Sequence, residues 1–351
     1  MIRTTSPAAG NANTALSVSR SRRASCASMP SWVARRPSEA LIASSLNLPA
    51  GTLTGDGMYG PGRVHTLSAE PRVFAQNDRM RRDWAALPES AMMQIEERVG
   101  RSHVIPASDG DHAEIAATVA GADARVFVKA AVSEFGVRSL RYELLVGRGV
   151  DTPYSPAVVW DFEADGWLVV GFEHVDGVRA DLSSASAHLD LLDLVLQELA
   201  KTRVPRDAPL FSPSARFGFE HPAMHGDTLV HTDLNPANVI VTPAGVRVVD
   251  WAMATKAAPW VELAQLVAWL IGSGHTPQQA ENWLARHPAW DAAGPETLDH
   301  FASSNAAKWS AKARQSNAPW MRDLATWTGQ WSAYRRGQSV TSAAGETELD
   351  G

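Results

Sequence analysis

The sequence predicts an α+β protein in which a small antiparallel sheet comes first and helices dominate the rest. Short apolar runs separated by turn residues follow one another at residues 103–106, 113–120 and 124–131, a pattern typical of an antiparallel sheet. From about residue 187 onward, apolar residues recur at helical spacing instead. The chain has 351 residues, which is long enough for two folded units.

Composition excludes several functional classes. The chain is 45% hydrophobic and 20% charged, and it has no run of 18 apolar residues, so we expect no membrane partner. The single cysteine, Cys26, rules out an intramolecular disulfide framework, and a reduced cytoplasm is the expected location. Residues 1–82 carry a net charge of +7 and residues 83–351 carry −13. That balance argues against nucleic-acid binding by the folded part.

The first 78 residues differ from the rest. They are rich in Ser, Ala, Pro, Gly and Arg and lack apolar periodicity, so we expect residues 1–78 to be a disordered leader. The pair Arg22 and Arg23 is not followed by the apolar stretch of an export signal. The first periodic segment is residues 90–99, which predicts a short helix that ends at Gly100.

The most informative polar residues lie in residues 229–251. Apolar runs at 239–241 and 246–249 flank Thr-Pro-Ala-Gly, which predicts a β-hairpin. A polar loop enters this hairpin and Asp250 leaves it, so Asp233, Asn238 and Asp250 should converge at one end. Oxygen ligands of this kind hold Mg²⁺, and a separate carboxylate can orient a hydroxyl. The segment therefore predicts a metal and phosphate site.

These motifs resemble those of the aminoglycoside phosphotransferase family, the protein-kinase-like small-molecule kinases. His231-x-Asp233-x4-Asn238 is similar to the catalytic loop of that family, and Val249-Asp250-Trp251 is similar to its metal-binding segment. The resemblance implies a two-lobe protein-kinase-like fold, with the N-lobe at 79–172, the C-lobe at 173–337 and a disordered tail at 338–351.

The resemblance also implies an activity, namely ATP-dependent phosphoryl transfer, with Mg²⁺, to a hydroxyl of a small molecule. Asp233 would then take the hydroxyl proton and His231 would support the catalytic loop, while Asn238 and Asp250 would bind the metal.

Upstream residues fit the nucleotide half of such a site. Period-two alternation puts Phe127 and Lys129 on one face of a strand. The resemblance implies that Lys129, held by Glu143, binds the ATP phosphates and that Phe127 stacks on adenine. A strand-end Lys can also snorkel and a strand Phe is usually core, so a structural role stays open for both. Ser108 is expected at the phosphates, and Glu173 begins the segment that resembles the interlobe hinge.

The C-lobe is expected to consist of helices at residues 187–199, from 259, at 276–287, at 295–315 and at 319–336. The second of these carries Glu262 where the family usually has an Asp below the catalytic loop. The carboxylate is one methylene longer, so we expect its support of the loop to be adjusted rather than lost. The Trp residues at helical spacing in the last segment indicate core more than a ligand platform.

Two other functions compete with this interpretation. A metal hydrolase built on His231 and Asp233 is disfavoured because no second His lies at ligand spacing and Lys129 would be unexplained. A catalytically silent nucleotide-binding or scaffold protein of the same fold stays open, because the loop at Ser108 has one glycine instead of a glycine-rich run. The acceptor also stays open among an aminoglycoside, a macrolide and a hydroxylated metabolite.

Overall fold

The computed structural model describes residues 81–107, 112–122, 124–150, 152–205 and 208–347, with side chains described up to residue 337. The predicted leader at 1–78 and the predicted phosphate-binding Ser108 lie outside the described residues. The predicted class is confirmed, because an antiparallel-sheet lobe precedes a mainly helical one. No helix in the described part of the chain has the length and apolar character that crossing a membrane requires.

The N-lobe is a five-stranded antiparallel sheet with two helices. In chain order its elements are α1 (Glu89–Val99), β1 (His103–Pro106), β2 (Ile115–Ala120), β3 (Arg125–Ala131), α2 (Glu134–Gly149), β4 (Val158–Ala164) and β5 (Trp167–Glu173). The sheet order is β1-β2-β3-β5-β4. The first three strands lie inside their predicted ranges. The β4–β5 turn falls at Asp165 and Gly166, whose φ angles of 47° and 81° suit a two-residue hairpin.

Helix α2, which carries Glu143, begins three residues after the end of β3. Ser133 caps it, and the Ser133 hydroxyl accepts a hydrogen bond from the Gly136 amide at 3.0 Å. Glu114 is buried and accepts hydrogen bonds from the backbone amides of Val132 and Ser133. A Cβ on Gly136 would lie 2.6 Å from the Glu114 carboxylate. Gly136 therefore lets the helix start close against the sheet.

The C-lobe contains seven helices and five short strands in the described residues. The helices are α3 (His188–Leu199), α4 (Pro213–Phe217), α5 (Trp260–Gly272), α6 (Pro277–Leu284), α7 (Pro288–Asp291), α8 (Pro295–Gln315) and α9 (Pro319–Thr347). The strands are β6 (Val178–Arg179), β7 (Thr228–Val230), β8 (Val239–Thr242), β9 (Gly245–Val248) and β10 (Thr255–Ala257). They form two sheets, β6-β8-β9 and β7-β10.

Three differences from the predicted C-lobe have local causes. Residues 203–227, for which no helix was predicted, contain α4, which Ser212 caps and Gly218 ends with φ 75°. The helix predicted to reach residue 287 breaks after Leu284, and α7 starts at Pro288. Helix α9 continues to Thr347, so the tail predicted from residue 338 overlaps its end.

The largest core lies in the C-lobe, where α5 is buried on nearly every side. The Trp residues of α9 mostly belong to this packing, as expected. Trp331 is fully buried and lies beside Phe301, with ring centroids 6.2 Å apart. Trp320, by contrast, is 38% exposed. A rigid helical lobe of this kind holds the loop that precedes β8 in a fixed position.

Candidate active site

The hairpin of β8 and β9 brings the predicted metal ligands together. The two strands pair from Val239 opposite Val248 to Thr242 opposite Gly245. At the open end the Val249 amide donates to the Asn238 carbonyl at 2.9 Å. Asn238 enters the hairpin and Asp250 leaves it, so the two residues lie at the same end, as the sequence predicted.

Lys129 is held between two carboxylates at the inner end of the cleft. Its Nζ donates to both oxygens of Glu143 at 2.8 Å and to Oδ1 of Asp250 at 2.9 Å. Burial alone would lower the pKa of Lys129, but Asp250 and Glu143 outweigh it and raise that pKa. Burial raises the pKa of Glu143 to about 7, although the Lys129 ammonium opposes the rise. One ammonium thus joins α2, β3 and the segment after β9.

Asp250 has an unusual backbone and two cationic neighbours. Its φ of 63° lies in the left-handed region, where aspartate is tolerated better than most residues. Nδ1 of His112 lies 3.4 Å from its Oδ2. Burial opposes ionisation, but Lys129 and His112 hold the pKa of Asp250 well below its usual range. Sequence reasoning missed His112, whose only signal was its place at the end of the loop between β1 and β2.

Asn238 has the free oxygen that a metal ligand needs. Its Nδ2 donates to the Asp233 carbonyl at 3.0 Å and to Asp233 Oδ2 at 3.2 Å. This fixes the amide orientation and leaves Asn238 Oδ1 without a hydrogen-bond partner among the described residues. Together with the ionised Asp250, it is a donor set that suits Mg²⁺, which is often bound by one or two protein oxygens plus substrate phosphates. No group of three or more His, Cys, Asp or Glu residues suited to a metal occurs in the described ranges.

The catalytic loop is supported from below, as expected for His231 and Glu262. The buried Glu262 carboxylate accepts hydrogen bonds from the backbone amides of His231 and Thr232, the latter at 3.0 and 3.1 Å. His231 Nε2 lies 2.9 Å from the Val249 carbonyl, and its Nδ1 accepts from the Asp233 amide at 3.2 Å. Burial lowers the pKa of His231 to about 4, so the ring is neutral near pH 7.

Thr232 adopts a positive φ of 61°, which is unusual for a β-branched residue. Arg216 of α4 holds it there. The Arg216 Nε donates to the Thr232 hydroxyl at 2.8 Å and its Nη2 donates to the Thr232 carbonyl at 3.0 Å. The hydroxyl in turn donates to the Met253 carbonyl at 3.0 Å. Sequence reasoning missed Arg216, because nothing in residues 203–227 marked it as a partner of Thr232.

Asp233 itself lies beside Arg216 and is partly buried. Burial raises the pKa of the Asp233 carboxyl, and the nearby charges of Arg216 and His112 oppose the rise. Its Oδ2 accepts the hydrogen bond from Asn238 already described. The carboxylate therefore has a fixed orientation next to the proposed metal ligand.

A cavity of about 340 Å³ lies between the lobes. Phe127 and Lys129 line it from β3, and Asn238, Ile240 and Asp250 line it from the other side. Asp233 and His231 do not line this cavity. Lys129 and the predicted metal ligands thus line the cavity, whereas the predicted base is absent from its lining.

The predicted adenine-binding residues also line this cavity. Phe127 lines it and also packs against the small core that contains Leu140 and Phe172. Glu173 lines it with an exposed side chain. Its Oε2 accepts from the Ala157 amide at 3.3 Å, and its own amide donates to the Ala157 carbonyl at 2.8 Å. Glu173 thus ties the end of β5 to the segment before β4, and it borders the cavity.

Sheet order, helical lobe and cleft together define a kinase-like protein. Residues 222–295, which contain the catalytic loop and hairpin, match the model of the phosphotransferase enzyme family. This match confirms the predicted resemblance to the aminoglycoside phosphotransferases over these residues. No curated protein matches the sequence.

Several solved structures are similar to the chain. The choline kinase LicA from Streptococcus pneumoniae has 15% sequence identity and a TM-score of 0.49, covering 70% of this chain and 99% of its own. A thermostable mutant of aminoglycoside phosphotransferase APH(4)-Ia, in a ternary complex with ADP and hygromycin B, has 16% identity and a TM-score of 0.47, covering 70% and 98%. An aminoglycoside-3'-phosphotransferase of type VIII has 16% identity and a TM-score of 0.38, covering 69% and 98%.

Proposed function

We propose that this protein is an ATP-dependent phosphotransferase that uses Mg²⁺ and acts on a hydroxyl group of a small molecule. The observation that carries the proposal is the position of Lys129, bonded to both Glu143 and Asp250 at the end of a cavity next to Asn238. Phosphoryl transfer asks a protein mainly for alignment and for neutralisation of charge. A fixed ammonium and two metal-binding oxygens at one point supply that neutralisation.

The nucleotide half follows from the residues that line the cavity. Phe127 is placed to cover a flat base, and the backbone around Glu173 is placed to bond its edge. Lys129 would bind the phosphates, with Glu143 keeping its ammonium in place. Asn238 Oδ1 and the Asp250 carboxylate would hold Mg²⁺, which supplies neutralisation of the phosphate charge when bound. The match of residues 222–295 to a phosphotransferase family supports this assignment.

The acceptor half centres on Asp233. Its raised pKa makes the carboxylate a better base than an exposed aspartate, and Asn238 fixes its orientation. Asp233 would orient the acceptor hydroxyl and take its proton as the oxygen bonds to phosphorus. His231 is neutral and fully bonded within the loop, which supports a structural role for it and argues against proton exchange.

Two measurements on the full chain test the proposal. First, Mg·ATP at one hundred times its dissociation constant should stabilise the protein by about 2.7 kcal/mol, seen as a rise in melting temperature. Second, antibiotics and hydroxylated metabolites incubated with Mg·ATP should include one that gains a phosphoryl group by mass spectrometry. Both measurements are repeated on Lys129→Met. Its matched control is Lys256→Met, which changes a half-buried Lys that does not line the cavity.

The outcomes separate the alternatives. A Mg·ATP shift without a phosphorylated product across the screen would favour the silent nucleotide-binding or scaffold protein. No shift at all would contradict the nucleotide half and, with it, the proposed function. A product formed equally well by Lys129→Met would remove Lys129 from the site.

A further inference from the structure

Three cations lie together next to the loop that carries Asp233. Arg216 belongs to α4, and Lys308 and Lys312 lie one turn apart on α8. The Lys308 Nζ lies 3.4 Å from the Arg216 carbonyl and 5.1 Å from the centre of the Phe217 ring. We call Arg216, Lys308 and Lys312 the cationic cluster. Its presence is unexpected in a body whose net charge is −13.

Neither lysine of this cluster has a carboxylate partner in the part of the chain that the structure describes. Lys308 and Lys312 instead lie near the face of Trp309, with Nζ 5.6 Å and 4.9 Å from the ring centroid. Burial and the charges of Arg216 and Lys312 lower the pKa of Lys308 well below its usual range. A ring face offsets only part of the cost of burying an ammonium. The two lysines are therefore short of negative charge.

The position of the cluster relates it to the acceptor. Arg216 is bonded to Thr232, the neighbour of Asp233, and its charge acts on the Asp233 carboxyl. None of the three cations lines the nucleotide cavity. The segment that leads into α4 also reaches the N-lobe helix α2, because Phe211 meets Tyr142 edge-on with ring centroids 5.0 Å apart. The cluster is thus joined through Arg216 to the loop that carries Asp233, and it lies outside the lining of the nucleotide cavity.

The geometry points to an anionic acceptor, which we propose as the substrate class of this protein: a small hydroxyl compound that carries a carboxylate or phosphate. Lys308 and Lys312 bind its negative group, while its hydroxyl lies at Asp233. Arg216 lies between the two ends and keeps the loop in place. This inference rests on the proposed phosphotransferase function and narrows its acceptor.

The reaction then balances as follows. The acceptor oxygen bonds to the γ-phosphorus of ATP, the bond from that phosphorus to the β,γ-bridging oxygen breaks, and ADP leaves with the electron pair. The hydroxyl proton passes to Asp233. A polycationic aminoglycoside would instead bring its ammonium groups against three cations, which is unfavourable in a partly buried site.

Binding to small hydroxyl compounds of different charge tests the proposal. The full chain, with Mg²⁺ and a non-hydrolysable ATP analogue, is titrated calorimetrically with glycerate, glycerol 3-phosphate, glycerol and choline. We expect at least one of the two anions to bind at least about tenfold more tightly than glycerol or choline, since a charge-assisted hydrogen bond is worth roughly that factor or more. The glycerate and glycerol 3-phosphate arms distinguish a carboxylate from a phosphate.

Variants test whether the cationic cluster causes the tighter binding of anions. Lys308→Gln and Lys312→Gln should each weaken anion binding about tenfold or more, and Lys308→Arg should largely retain it. The matched control is Lys201→Gln. Lys201 is exposed, precedes the catalytic loop in the sequence and forms an ion pair with Glu198. Melting curves of each variant exclude unfolding, and Lys312→Gln serves if Lys308→Gln does not fold.

Two results would overturn the inference. One is glycerol or choline binding as tightly as the better of the two anions, and the other is unchanged anion binding in both Gln variants. In either case, a Mg·ATP-dependent thermal shift and a phosphorylated product would leave the proposed phosphotransferase function standing. If wild-type protein shows neither shift nor product, the proposed function fails and the acceptor class fails with it.

Discussion

Removing the carboxylate of Glu262 should destabilise the fold and disorder the catalytic loop together. Glu262 is 3% exposed and accepts hydrogen bonds from the backbone amides of His231 and Thr232. In Glu262→Ala both amides lose their partner, and each unpaired buried donor costs about 1–3 kcal/mol. The free energy of unfolding should therefore fall by about 2–6 kcal/mol. Thr232 would also lose one of the contacts that hold its positive φ.

Urea denaturation at pH 8 measures this effect, because at that pH Glu262, whose pKa burial raises to about 7, is ionised. Glu262→Asp restores the residue that the related family usually carries and should recover part of the loss. The matched control is Glu97→Ala on the exposed face of α1, which should change stability by less than about 0.5 kcal/mol. If Glu262→Ala unfolds at the same urea concentration as wild type, the support of the loop by Glu262 is wrong.

Three further predictions concern the same site. Between pH 6.5 and pH 4 the His231 ring takes up its proton in the unfolded state before it does so in the folded state, since burial lowers its pKa to about 4. The free energy of unfolding of wild type should therefore fall by about 3 kcal/mol relative to that of His231→Asn over that window, measured by urea melts at each pH. Lys129→Met should lower the phosphoryl transfer rate by about 10² or more, and a rate near wild type would contradict its role at the phosphates. Asn238→Ala should raise the Mg²⁺ concentration for half-maximal rate at least about tenfold, and an unchanged Mg²⁺ dependence would remove Asn238 as a ligand.

The elements were predicted well wherever local signals were strong. Residues 295–315 form a helix with the predicted bounds, and the capping box at Thr276 and Gln279 is present. Segments without a marked period were missed or misplaced. Helix α4 is only five residues long, too short to show a period, although Ser212, Pro213 and Gly218 gave start and stop signals.

The parts of the site that lie in sequence motifs could be predicted. The parts that only tertiary structure brings together could not. The Lys129 to Glu143 contact and the convergence of Asn238 with Asp250 followed from the resemblance and from the hairpin. The bond from Lys129 to Asp250 joins residues 121 positions apart, and no local pattern encodes it. Arg216 and Lys308 are 92 positions apart and meet only in the folded chain, so this local group of cations could not be inferred from net charge alone.

In the proposed reaction Asp233 takes the proton of an acceptor hydroxyl during phosphoryl transfer from ATP. The most direct test compares transfer to the best acceptor of the screen by wild type and by Asp233→Asn, with Mg·ATP binding measured in both. We expect a rate lower by about 10²–10⁴ in the variant, the usual contribution of a positioned base. A variant rate within a few-fold of wild type would contradict it.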